Sequence, residues 1–111
     1  MSENFSITPE EFVQEFKELK EELLEGYFSE SSELSRIGRL TSAGLSSSQV
    51  EVVKQICDDQ LTDALYTVLL GLDGCGCISQ HQIDYELKDE NDNVLSGELE
   101  PYAYEAFHEN T

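Results

Sequence analysis

The apolar residues Phe12, Phe16, Leu19, Leu23 and Tyr27 recur at spacings of four, three, four and four, the repeat of one face of an α-helix. A stripe of this kind has to be buried against a second element, so it limits the fold more than any other feature of the chain. Its start is marked by Thr8-Pro9-Glu10-Glu11. Thr8 can cap, Pro9 suits a first helical position where its missing N–H is not needed, and Glu11 completes a capping box. Val13, Leu24 and Phe28 broaden the stripe. The opposite face, with Glu10, Glu11, Glu18, Glu21, Glu22 and Glu25 beside only Lys17 and Lys20, reads as a solvated acidic surface.

A serine-rich stretch follows from Ser29 to Ser48, within which Leu34, Ile37 and Leu40 suggest a short helix stopped near Ala43-Gly44. Arg36 and Arg39, the only arginines, lie here and are expected to pair with neighbouring helix glutamates. Ser46, Ser47 or Ser48 can then cap a long central helix, Gln49 to Leu72, carried by Val50, Val53, Ile56, Cys57, Leu61, Ala64, Leu65, Val68, Leu69 and Leu72. Gly74 suits the left-handed residue that ends it. Beyond it the period changes to two: Ile83, Tyr85 and Leu87 alternate with Asp84, Glu86 and Lys88, Asp89 to Asn93 turns, and Val94 to Leu99 returns. Pro101 opens a last helix to Glu109, with Tyr104 and Phe107 or Ala103 and Phe107 inward. The expected fold is α+β: two long amphipathic helices with a short helix between them, a β-hairpin and a C-terminal helix. The helices should cover one face of the hairpin, since a lone two-stranded sheet is marginal. At 111 residues one domain, 1–111, is expected, with residues 1–7 a flexible N-terminus.

Charge narrows the function. Against 24 acidic residues stand 6 basic ones, a net charge of −18, where a magnitude of about 2 to 8 keeps a small domain soluble. Such a field repels nucleic acid and anionic membranes and attracts basic surfaces. It is uneven. Residues 1–30 hold nine acids and two bases, residues 31–60 four and three, and residues 61–111 eleven and one. A basic protein partner is therefore expected on the outer face of the first helix (Glu18, Glu21, Glu22, Glu25) or along the hairpin and final helix (Asp84, Glu86, Glu98, Glu100). No direct nucleic-acid binding and no membrane contact are expected, while an unpaired sheet edge leaves a homodimer open. The start lacks a secretory pattern, no apolar run is long enough to span a bilayer, and three cysteines make an odd number; together these point to the cytoplasm.

Candidate chemistry is sparse. Cys57, Cys75, Cys77 and His81 could supply three thiolates and an imidazole to zinc, but one residue between Cys75 and Cys77 hampers chelation, and small buried cysteines in a glycine turn explain the same letters. A redox pair is disfavoured, because a helix C-terminus and nearby acids oppose thiolate. Asp89, Asn91, Asn93 and Glu100 match places one, three, five and twelve of a calcium loop, yet Val94 stands where that loop needs glycine, and an Asx-rich turn fits better. His81 and His108 sit in no catalytic motif, and pairs such as Asp58-Asp59 or Glu98 with Glu100 arise by chance in an acidic chain. No catalytic residue, cofactor or metal is expected.

The stretch Asp63-Ala64-Leu65-Tyr66-Thr67-Val68-Leu69-Leu70-Gly71-Leu72-Asp73-Gly74, followed by a hairpin and by Gly97-Glu98-Leu99-Glu100 before an aromatic helix, resembles small acidic bacterial proteins, among them immunity proteins that neutralise polymorphic toxins. The resemblance covers the C-terminal half. It implies a cytoplasmic, non-catalytic module whose acidic surface meets a basic toxin. The alternatives are a DNA mimic, whose carboxylates imitate phosphates to occupy a DNA-binding protein, and a small enzyme or metal-binding protein using the turn from Asp73 to His81.

Overall fold

The computed structural model describes residues 6–109, and helix accounts for most of them. The elements in order are α1 (Pro9–Tyr27), α2 (Ile37–Ser42), α3 (Ser47–Asp73) and α4 (Glu100–Tyr104), the last running into a π-helical turn, Glu105–Glu109. Two compact units are formed, Met1–Lys17 with Ala64–Thr111, and Glu18–Asp63. Of the expected flexible N-terminus, residues 1–5 lie outside the described residues. Ser6 accepts a hydrogen bond from the Asn93 amide at 2.8 Å, and Ile7 packs on the core.

Helix boundaries follow local chemistry. Glu11 N–H donates to Thr8 Oγ1 at 3.1 Å and Thr8 N–H to Glu11 Oε1 at 2.9 Å, a complete capping box. The same reciprocal pair opens α3 between Ser46 and Gln49, at 3.3 and 2.8 Å. Gly74 ends α3 with φ +81°, the left-handed conformation that a glycine adopts without a Cβ clash.

The α+β expectation is corrected: no strand forms among the described residues, and the stretch read as a hairpin contains a single antiparallel bridge, Lys88 to Val94. The turn itself is as expected, with Asp89 Oδ1 accepting from the N–H groups of Asn91 and Asn93 at 2.8 and 3.0 Å. What fails is the ladder beyond it. Leu95 N–H reaches Leu87 O at 2.7 Å, but Leu87 N–H donates to the Ser96 hydroxyl, where a sheet would use a carbonyl. Of the apolar residues in the two expected strands, Leu87, Leu95 and Leu99 meet the core, Leu99 as part of the approach to α4. Ile83, Tyr85 and Val94 stay 44 to 50% exposed, so the alternation buries too little to hold two strands together.

The core of the first unit is Val13, Leu69, Leu95, Leu99, Ala103 and Phe107, all buried. Of the two inward pairs allowed for the last helix, Ala103 with Phe107 is the one realised, and Tyr104 is 48% exposed. Asp73 ties this unit together. The last residue of α3, it turns its carboxylate onto the start of α4, where Oδ1 accepts from the N–H groups of Gly97 (2.5 Å) and Leu99 (2.8 Å), and Oδ2 from that of Glu100 (3.0 Å). The Leu99 and Glu100 groups are among those that the helix geometry leaves without an internal partner.

In the second unit the one fully buried side chain is Lys20. Its ammonium meets Asp58 Oδ1 at 2.6 Å, with Asp58 45% exposed. This corrects the placing of Lys20 on the solvated face of α1. Leu19, expected inside, is 43% exposed instead.

Candidate functional site

The expected binding carboxylates fall into two sets, one in each unit. On α1, Glu18, Glu21, Glu22 and Glu25 are all exposed, at the spacing that lines up neighbours along one helix face. None of them is ion-paired among the described residues. The two lysines of the same helix point elsewhere. Lys20 is inside, against Asp58, and Lys17 donates to Ala106 O at 2.6 Å while its ammonium stands 5.9 Å from the Phe107 ring centroid. The face is left with carboxylates only.

The second set divides. Asp84 and Glu86 line a cleft of about 490 Å³ together with Asp73, Tyr85, Val94 and Ser96. The Asp73 carboxylate is occupied by the α4 amides, and Glu86 is in a 3.3 Å ion pair with the exposed Lys88. Glu98 and Glu100 stand at the start of α4 and do not line the cleft. Glu98 is exposed, whereas Glu100 is half-buried with its N–H on Asp73.

The cysteines do not assemble. No group of three or more histidine, cysteine or acidic side chains among the described residues is placed to hold a metal. Cys57 is half-buried in the second unit, while Cys75 and Cys77 are exposed, which corrects their expected burial in the glycine turn. Cys77 donates to Ser79 O at 3.2 Å. Cys75 contacts Asp73 Oδ2 at 3.5 Å. Desolvation, then the hydrogen bond and charge of Asp73, then Glu100, push the Cys75 thiol up, against thiolate formation. Desolvation also raises the Tyr66 phenol, with smaller contributions from Glu100, Tyr104 and Cys75. His108 packs edge-on to Tyr66 with ring centroids 4.4 Å apart, and against Tyr104 at 5.5 Å. In the turn read as a possible calcium loop, hydrogen bonds from Asn93 and Asn91 hold the Asp89 carboxyl below its usual range.

One feature of the second unit was not expected. Arg36 and Arg39 make no ion pair among the described residues, contrary to the expected pairing with helix glutamates. Arg36 donates from Nη1 to Leu34 O, and its guanidinium lies 5.2 Å from the Tyr27 ring centroid. Both arginines line a pocket of about 360 Å³ with Tyr27, Phe28, Leu40, Val53 and Cys57. The only signal in the sequence was their position in the segment of least net charge.

No described helix is long and apolar enough to cross a membrane. The chain matches no protein-family model, and comparison with curated proteins and with solved structures yields no match.

Proposed function

We propose that the protein is a non-catalytic binding module for a basic protein partner, with the α1 face of Glu18, Glu21, Glu22 and Glu25 as its primary contact surface. The observation that carries this reading is that Lys17, four residues before Glu21, gives its ammonium to Ala106 O, and that none of the four glutamates is ion-paired among the described residues. On an ordinary surface helix, glutamates and lysines four residues apart neutralise one another. Here Lys17, the lysine at that spacing from Glu21, is bound to a backbone carbonyl, so four adjacent carboxylates stay available to an external cation. Charge of one sign concentrated on one face raises encounter rates with an oppositely charged partner and discriminates against others. The cleft with Asp84, Glu86 and Tyr85 is a secondary surface, able to take a basic side chain against two carboxylates and an aromatic ring. Neutralisation of a basic toxin is the form of this role that the resemblance to immunity proteins suggests.

The test separates a face from bulk charge. A deca-arginine peptide is titrated against the wild type, against a variant with Glu18, Glu21, Glu22 and Glu25 changed to Gln, and against one with the exposed Glu30, Glu51, Glu90 and Glu109 changed to Gln. Both variants lose the same charge. The reading expects the first to lose most of the affinity and most of its salt dependence, and the second to lose little. Equal losses would reduce the acidity to a solubilising role.

A further inference from the structure

We propose that the pocket of the second unit is a binding site for a small amphipathic anion, a monocarboxylate with an apolar body. The two guanidiniums would take the carboxylate, and Tyr27, Phe28, Leu40 and Val53 would take the body.

The pocket is large enough, at about 360 Å³, within the range of small-molecule sites. Its lining is mostly apolar and aromatic, with the two arginines as its charged members, the composition that binds an amphiphile and fixes its orientation. Charge then selects the sign of the ligand. In a chain with 24 acidic residues, the only two arginines line one pocket, and neither is ion-paired among the described residues. Arg36 is held by Leu34 O and by stacking near Tyr27, so a guanidinium is positioned in advance and still has donors to spend on a planar carboxylate. Asp58, the nearest carboxylate in sequence to Cys57, is engaged by Lys20. The observed packing leaves room as well: apart from Lys20, no side chain of Glu18–Asp63 is fully buried.

Cys57 supplies a built-in reporter. It lines the pocket and is half-buried, whereas Cys75 and Cys77 are exposed in the other unit.

The experiment titrates octanoate and octanol into ¹⁵N-labelled full-length protein, and in parallel measures alkylation of each cysteine by iodoacetamide, read by peptide mass spectrometry. The proposal expects octanoate to shift the amides of Arg36, Arg39, Leu40, Val53 and Cys57 and to slow alkylation of Cys57 alone. Octanol should bind at least about tenfold more weakly, and so should octanoate to Arg39→Gln, because a charge-assisted hydrogen bond contributes at least that factor. Arg36→Gln disturbs the bond to Leu34 O, so Arg39→Gln, which breaks no hydrogen bond among the described residues, is the deciding variant. Octanol binding as tightly as octanoate, an unchanged affinity in Arg39→Gln, or amide shifts outside the pocket would each overturn the proposal.

Discussion

Replacing Asp73 with Ala tests how the first unit is held together. The carboxylate accepts three backbone N–H groups, from Gly97, Leu99 and Glu100, at 2.5 to 3.0 Å. The Leu99 bond is buried, and the other two are partly so. Loss of a helix-capping side chain costs about 0.5 to 2 kcal/mol, and a buried N–H left without a partner costs about 1 to 3 kcal/mol. Water can reach the Gly97 and Glu100 groups in part, so the sum expected for Asp73→Ala is about 2 to 4 kcal/mol. Asp73→Asn keeps an acceptor at Oδ1 but presents NH₂ to the Glu100 N–H and loses the charge, for an expected cost of about 1 to 2 kcal/mol. Urea unfolding at neutral pH measures both, as a lowered midpoint with an unchanged slope. Hydrogen exchange localises the effect, with the Leu99 amide losing protection. An Asp73→Ala midpoint corresponding to a change below about 0.5 kcal/mol, the size of an ordinary surface substitution, would refute the assignment of Asp73 as the tie between α3 and α4.

Three further expectations follow from the same geometry. The folded-state carboxyl of Asp89 is lowered by its hydrogen bonds to Asn93 and Asn91; it therefore stabilises the fold above its unfolded value, about 3.9, and that contribution is lost as pH falls through the folded value. The difference between wild type and Asp89→Asn in urea unfolding should accordingly shrink on acidification, whereas a constant difference across that range would contradict it. A Cβ at Gly71 would strike the Ile78 side chain, so Gly71→Ala should destabilise by about 1 to 3 kcal/mol, as overpacking does, and Ile78→Ala in the same chain should recover most of it in a double-mutant cycle. Removing the partner of the buried lysine by Asp58→Ala should cost about 1 to 3 kcal/mol, less than for a fully buried pair because Asp58 is half-exposed, whereas Lys20→Met, which removes the buried charge itself, should cost less than Asp58→Ala in thermal unfolding.

Legibility in the sequence tracked the range of the interactions. Thr8 with Glu11 and Gly74 at the end of α3 are fixed within three residues of one another or by one residue's own backbone preference, and each was readable from its letters, while the cap of α3 was narrowed only to three serines, of which the structure uses Ser46 with Gln49. The turn at Asp89 was readable for the same reason. The hairpin was misread because period-two alternation states only that two faces differ. It does not supply a mate, and Leu95 is buried and Leu87 packs partly on the core while Ile83, Tyr85 and Val94 stay about half exposed. Lys20 was misplaced because its aliphatic stem can be buried once the ammonium finds Asp58, 38 positions away in the chain and invisible to helical periodicity. Asp73 read as part of a helix-ending turn, since its partners stand 24 to 27 residues further on. The carboxylates themselves were easy to find. What the structure adds is where the cations went, and that shows which acidic face is unneutralised and which arginines are without a carboxylate among the described residues.

The most direct test of the proposed acidic binding face is a ¹H–¹⁵N map of deca-arginine binding to the full chain at low salt. Amide shifts are expected to concentrate at Glu18 to Glu25, with smaller changes around Asp84 and Glu86 and none at Arg36 and Arg39. Shifts distributed over all exposed carboxylates alike, or absent from Glu18 to Glu25, would contradict it.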